Sequence, residues 1–339
     1  MSNKVIIIAE AGVNHNGSIE LAYKMIDLAK EAGADYVKFQ TAIPKLVYSA
    51  NTPKAAYQIR NTGSDEPQIK MAEKIHLPVT DYKALNDYCN KIGIKFLSTP
   101  FDHVSIDVLE ELDMDYFKIP SGEITNLPYL KRIGSIGKPV IMSTGMAKLG
   151  EIEDALEVLQ SCGLRKDQLT ILHCNTEYPT PMVDVNLNAM HSMALAFGVK
   201  VGYSDHTEGI EVPIAAVALG ATVIEKHFTL DKSMEGPDHK ASLDPVELKN
   251  MVRAIRNIEI ALGTGLKSPT ESEKKNIVVA RRSIHILNNL DAGHILTPQD
   301  LIMKRPGDGI SPMNIDVVLG KKLLRSMMDD EKLTWQDIQ

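Results

Sequence analysis

The chain has 339 residues, 44% of them hydrophobic and 24% charged, with 22 glycines and 17 prolines; this excludes a disordered or fibrous protein and allows one large domain with a small companion. Its 37 basic residues against 44 acidic ones leave a net charge of −7, which argues against nucleic acid or an anionic membrane as the partner, so an anionic ligand has to meet a local cationic pocket. Cys89, Cys162 and Cys174 are odd in number and lack CxxC spacing, and the apolar run Val5 to Ile8 is too short for a signal-peptide core or for the roughly 18 to 20 residues of a spanning helix; the expectation is a cytoplasmic protein without disulfides.

In chain order, short β-branched runs alternate with segments of helical period. Val5 to Ala9 leads to the amphipathic stretch Ile19 to Ala32, whose Leu21, Met25, Leu28, Ala29 and Ala32 share one face. Tyr36 to Gln40 is followed by an unusually long interval, Thr41 to Pro78, which reads equally as a lid or as a surface excursion. Asp81 to Lys91 is helical, and Lys95 to Thr99, Tyr116 to Ile119 and Val140 to Thr144 read as strands. Leu149 to Gln160 is helical, Leu169 to Cys174 and Val199 to Tyr203 are strands, and the helical Glu211 to Leu219 precedes the last strand, Thr222 to His227.

Eight strands alternating with helices predict an α/β fold, a (β/α)8 TIM barrel; the rival doubly wound sheet lacks its glycine fingerprint after the first strand. The barrel is expected over residues 1–264, with a linker at 265–280 on the strength of its Gly, Ser, Pro and charged residues, and a small domain at 281–339. A domain that small is marginal alone.

Barrel active sites assemble at the carboxyl ends of the strands. Those ends carry Glu10, Lys38 with Gln40, Thr99, Lys118 with Ser121, Ser143, Asn175, Ser204 with His206, and Glu225 with His227. Because i and i+2 share a strand face, Lys38 and Gln40 point inward while Val37 and Phe39 pack on helices.

His206 and His227, from neighbouring strand ends, are the leading metal pair, with Asp205 or Glu225 to orient a ring or add an oxygen and His239 as a weaker third candidate. The same spacing also suits two hydrogen-bonded histidines in a polar mouth. Lys38, Lys118, Thr99, Ser121 and Ser143 make a ring of cations and hydroxyls suited to a small phosphorylated carboxylate, although each lysine could instead neutralise Glu10 or Glu123. Those two carboxylates are the candidates for proton transfer or for gripping a polyol. Asn14-His15-Asn16-Gly17 reads as a turn before a helix capped by Ser18.

The ordered motifs Ala9-Glu10-Ala11-Gly12-Val13-Asn14-His15-Asn16-Gly17, Val37-Lys38-Phe39-Gln40-Thr41, Ser98-Thr99-Pro100-Phe101, Lys118-Ile119-Pro120-Ser121-Gly122-Glu123, Ser143-Thr144-Gly145-Met146, Tyr178-Pro179-Thr180-Pro181, Ser204-Asp205-His206-Thr207, Glu225-Lys226-His227-Phe228-Thr229 and Lys304-Arg305-Pro306-Gly307 resemble the sialic acid synthase family nearly end to end. The last segment is similar to that family's antifreeze-like (SAF) domain. The resemblance implies condensation of phosphoenolpyruvate with an open-chain N-acetylated hexosamine and water, giving a nine-carbon 2-keto sugar acid and phosphate.

By the same resemblance, His206 and His227 hold a divalent ion, usually manganese, with magnesium or cobalt as alternatives. Lys38, Thr99, Lys118, Ser121, Ser143 and Ser204 hold phosphoenolpyruvate. Glu10, Gln40, Tyr178 and Asp238 contact the sugar, with Glu10 or Glu123 moving protons or delivering water. Arg305 reaches the N-acetyl group from a partner copy, which implies a domain-swapped homodimer. The order Cys174-Asn175-Thr176-Glu177 departs from members with Thr-Asn, so either Asn175 or Thr176 makes the ligand contact. N-acetylmannosamine is the first expectation for the acceptor, with a 2,4-diacetamido-2,4,6-trideoxy hexose, the legionaminic acid branch, as the alternative. Remoter readings are a Schiff-base aldolase through Lys38 or Lys118 and a non-enzymatic ice-binding or sugar-binding protein.

Overall fold

The computed structural model describes residues 4–339. They divide into two compact units, one ending at Gly263 and the other running from Thr264 to Gln339.

The first unit opens with β1 (Ile6–Gly12), α1 (Ile19–Ala32) and β2 (Tyr36–Thr41). Ser18 caps α1 by accepting from Leu21 N at 3.3 Å, and Gly33 ends it in the left-handed region at φ 84°, as the cap chemistry of serine and glycine favours. The long interval after β2 carries three short helices, α2 (Pro44–Val47), α3 (Ala56–Thr62) and α4 (Gln68–Ile75), before α5 (Tyr82–Ile92). Then come β3 (Lys95–Pro100), α6 (His103–Glu110), β4 (Phe117–Ile119), α7 (Leu127–Ser135), β5 (Val140–Ser143) and α8 (Leu149–Ser161). The unit closes with β6 (Leu169–Cys174), α9 (Asn188–Phe197), β7 (Lys200–Asp205), α10 (Glu211–Ala218), β8 (Val223–His227) and α11 (Pro245–Ala261).

All strand pairs are parallel, in the order β3-β2-β1-β8-β7-β6-β5-β4, and β4 returns beside β3. The result is an eight-stranded parallel barrel wrapped by helices. Outward-facing Val37 and Phe39 are fully buried beneath the helices, and Phe39 stacks on Phe96 with ring centroids 5.9 Å apart. The register brings functional groups level: Glu10 lies opposite both Lys38 and His227, and Ser204 lies opposite Glu225.

The second unit begins at Thr264, immediately before the stretch expected to be a linker, and takes that stretch in. Residues 271–280 form α12 (Glu271–Ala280), started by a reciprocal cap between Thr270 and Glu273; the Thr-x-x-Glu spacing supplies two partners for otherwise unpaired backbone donors. An antiparallel pair, β9 (Ser283–Ile286) with β10 (Leu301–Lys304), and the short α13 (Ile315–Val318) surround a separate core that includes Ile284, Ile286, Leu296, Leu323 and Leu333. Among the described residues no helix is long and apolar enough to cross a membrane, and all three cysteines are free.

Candidate active site

The carboxyl ends of the strands deliver two ammonium groups and two carboxylates into one buried layer. Lys38 Nζ on β2 lies 3.2 Å from Glu10 on β1, 3.0 Å from Glu225 on β8 and 3.1 Å from the Thr99 hydroxyl on β3. Lys118 Nζ on β4 donates to Ser143 Oγ on β5 at 2.6 Å and lies 3.7 Å from Glu225, which also accepts from Ser204 Oγ at 2.9 Å. Taking one such charge out of water alone is prohibitive, so the layer exists because its charges alternate.

Their titration follows from position. Burial pushes Glu10 up to about 7 despite Lys38. Burial also works against the Glu225 anion, yet Lys118 and Lys38 together hold that carboxyl down at about 2. Lys118, with one carboxylate at longer range, is lowered by burial to about 8. Burial raises both carboxyls; the two lysines beside Glu225 outweigh it there, whereas Lys38 alone does not outweigh it at Glu10.

These groups floor a cavity of about 370 Å³. Its lining includes Glu10, Lys38, Gln40, Thr99, Lys118, Ser121, Ser143, Thr176, Tyr178, Ser204, His206, His227 and Asp238, so these expected site residues meet in one place. Gly145 N donates to Ser121 Oγ at 3.0 Å, and a Cβ at Gly145 would lie 2.7 Å from Thr176 and 2.9 Å from Ser121. Only hydrogen fits there. Asp238 is buried with an unpartnered Oδ1, and burial raises it to about 7.

His206 and His227 face each other with ring centroids 5.5 Å apart. The His206 ring is fixed by Nδ1 against the carbonyl of Asn175, while Nε2 lies 3.0 Å from the Tyr178 hydroxyl; Tyr178 also stacks on the ring at 4.0 Å. If Nδ1 donates, Nε2 keeps its lone pair. His227 is buried with an unpartnered Nδ1, and its ring edge lies over Gly12, where a Cβ would come within 3.2 Å. Burial lowers His206 to about 4 and holds His227 well below the usual imidazole range, so both rings are neutral, the form that ligates metals. The pair therefore fits a divalent ion with two protein nitrogens. Among the described residues no group of three or more His, Cys, Asp or Glu is placed to hold a metal ion.

Several expected residues have other occupations. Asp205 does not orient His206; its carboxylate faces away from the cavity and takes the buried ammonium of Lys226 at 2.5 Å and the Thr207 hydroxyl. His239 is engaged at both nitrogens, by Thr229 Oγ1 at 2.7 Å and Asn16 Oδ1 at 3.3 Å. The Asn175 side chain turns back onto Glu177 N at 2.7 Å, leaving Thr176 to line the cavity and Asn175 to position His206 through its carbonyl. Glu123 is outside the cavity lining and accepts from Asn126. Arg305 is exposed and belongs to the second unit.

The sequence marks Glu225 as a ring-orienting or metal-side group; in the structure it links both lysines and Ser204. The interval after β2 also contributes directly. Tyr57 stacks on Tyr178 with centroids 5.0 Å apart, Asn61 donates to Pro237 O at 2.6 Å, and Arg60 pairs with Glu177 at 2.6 Å. The interval is a cover held across the mouth.

Residues 25–267 match the NeuB family, and residues 281–339 match the SAF domain. The chain belongs to the NeuB family. As such it is a phosphoenolpyruvate-dependent synthase of the sialic-acid type. This NeuB-family chain is 52% identical to the N,N'-diacetyllegionaminic acid synthase of Campylobacter jejuni over 97% of its own length and 98% of the relative's. It is 45% identical to the enzyme of the same name from Legionella pneumophila, over 98% and 94%. Its fold is similar to the crystal structure of N-acetylneuraminic acid synthetase from Leptospira borgpetersenii in complex with citrate, with a TM-score of 0.70, 34% identity and coverage of 81% and 90%.

Proposed function

We propose that this enzyme condenses phosphoenolpyruvate with a 2,4-diacetamido-2,4,6-trideoxy hexose and water, giving N,N'-diacetyllegionaminic acid and phosphate. The observation that supports this acceptor is the pair of near full-length relatives of that name at 52% and 45% identity. N-acetylmannosamine, the first expectation from the motifs, becomes the second reading.

Lys38, Lys118, Thr99, Ser121, Ser143 and Ser204 hold phosphoenolpyruvate, the ammonium groups meeting its phosphate and carboxylate through charge-assisted hydrogen bonds. Gln40, Tyr178, Thr176 and Asp238 hold the open-chain sugar along the cavity wall. His206 and His227 would hold a divalent ion, manganese by the resemblance, which supplies a Lewis acid toward a carbonyl oxygen. Glu10 is the proton-handling carboxyl, because it lies in the cavity beside Gln40 at 3.2 Å and Lys38, whereas Glu123 is tied to Asn126 outside it. Glu225 stays anionic and keeps both lysines aimed. Lys38, clasped by two carboxylates, is a cation rather than the amine nucleophile of an aldolase.

The test is phosphate release by manganese-loaded enzyme given phosphoenolpyruvate and either sugar, with chelator as a control. Release with the trideoxy sugar at the higher kcat/KM, abolished by chelator, is expected. A higher kcat/KM with N-acetylmannosamine would overturn the acceptor assignment.

A further inference from the structure

One wall of the cavity has no part in the chemistry above. Helix α4 turns Gln68, Met71, Ala72 and Ile75 toward the cavity. Their spacing, i, i+3, i+4 and i+7, is one face of a helix. An apolar stripe on a short helix ordinarily covers a hydrophobic core, but Met71 and Ala72, only 6% and 2% exposed, line the ligand cavity instead. Tyr57 of α3 lines it too.

The position of this stripe determines which part of a ligand it meets. The bond-forming end of an acceptor belongs over the strand ends, beside Glu10, His206 and His227. Helix α4 comes from the connection that covers the mouth, so it faces the remote end of the acceptor. A hexose presents a C6 hydroxyl there, and a hydroxyl set against Met71, Ala72 and Ile75 loses its water and finds no hydrogen-bond partner in those three side chains. A 6-deoxy sugar presents a methyl group, which such a wall accepts, and a second acetamido group finds a carboxamide in Gln68 at the start of the same stripe.

We infer that the inward face of α4, Gln68 with Met71, Ala72 and Ile75, is the wall that discriminates among acceptor sugars, receiving the C6 methyl and the second acetamido group of a trideoxy sugar. The inference rests on the acceptor proposed above and adds the residues that select it. An apolar surface rejects an added hydroxyl by about 100-fold at most, so the wall accounts for a preference of that order and not for absolute exclusion.

The experiment measures kcat/KM for the trideoxy sugar and for N-acetylmannosamine in the wild type, Met71→Gln and Gln68→Ala, all manganese-loaded. The ratio of the two values is the readout, because both sugars are turned over by the same folded molecules and a partly misfolded preparation leaves it unchanged. A ratio that falls by at least about tenfold in each variant is expected. A wild type that prefers the trideoxy sugar, with a ratio within twofold of wild type in both variants, overturns the wall and leaves the acceptor assignment standing. A wild type that prefers N-acetylmannosamine overturns the assignment and the wall with it. Should Met71→Gln fail to fold, Gln68→Ala, in the half-exposed first turn of α4, decides alone.

Discussion

Glu225 links the barrel mouth, since Lys38, Lys118 and Ser204 all lie within reach of its two oxygens. Glu225→Gln keeps the shape and removes the charge, leaving Lys118 without its carboxylate. Breaking one partner out of a buried pair costs about 3 to 5 kcal/mol, so denaturant unfolding of the variant should show a loss of that order; an unchanged midpoint would mean that the charge layer is not balanced as described. Lys118 makes a second, independent prediction. Burial lowers it to about 8; below that pH it is an ammonium, the form that would hold phosphoenolpyruvate in the proposed assignment, and above it the charge is lost. The kcat/KM for phosphoenolpyruvate should therefore fall as pH rises through about 8, and in Glu225→Gln the fall should begin at lower pH, because the neighbouring anion no longer favours the charged form. A profile identical in both proteins would remove Lys118 as its source.

At the scale of elements, the turn after β5 shows how closely backbone and site are fitted. A methyl group at Gly145 would strike Thr176 and Ser121, and overpacking of this kind costs about 1 to 3 kcal/mol. Gly145→Ala should lower kcat/KM for phosphoenolpyruvate at least about tenfold, a barrier change of about 1.4 kcal/mol, while the far-ultraviolet circular dichroism stays that of the wild type; full activity would show that Ser121 and Thr176 have room to move. The strands were legible in the sequence because runs such as Leu169 to Cys174 combine β-branching with a polar end, and the barrel's alternation is hard to imitate. The interval after β2 was not legible in the same way. Its helices have four, seven and eight residues, too short for periodicity to stand out, and the stripe of α4 serves a cavity rather than a core. Helix α12 was hidden by a composition typical of linkers, although Thr270 and Glu273 spell its cap. Pairings such as Lys226 with Asp205, which removed a proposed orienting group from His206, depend on which way strand ends turn and leave no mark on residue order.

For the whole molecule, the two units have separate cores, and the motif containing Arg305 belongs to the smaller one. If Arg305 serves the acceptor as the family resemblance implies, Arg305→Ala raises the sugar KM and leaves the phosphoenolpyruvate KM within about twofold of wild type, a difference of about 0.4 kcal/mol. Equal changes in both would remove that role. Sedimentation of the wild type should give a dimer, and a monomer with full activity would exclude the domain-swapped arrangement.

The alternation of charge in the mouth has a kinetic consequence. Two ammonium groups and two carboxylates nearly cancel, inside a chain of net charge −7, so the empty site offers a polyanion little attraction from a distance. Its grip begins only on contact. Added salt shortens the range of electrostatic forces from about 30 Å at 0.01 M to about 10 Å at 0.1 M; here that screens mainly repulsion. Stopped-flow association of phosphoenolpyruvate with metal-free enzyme should therefore hold steady or quicken as ionic strength rises, where a steering cationic funnel would slow severalfold.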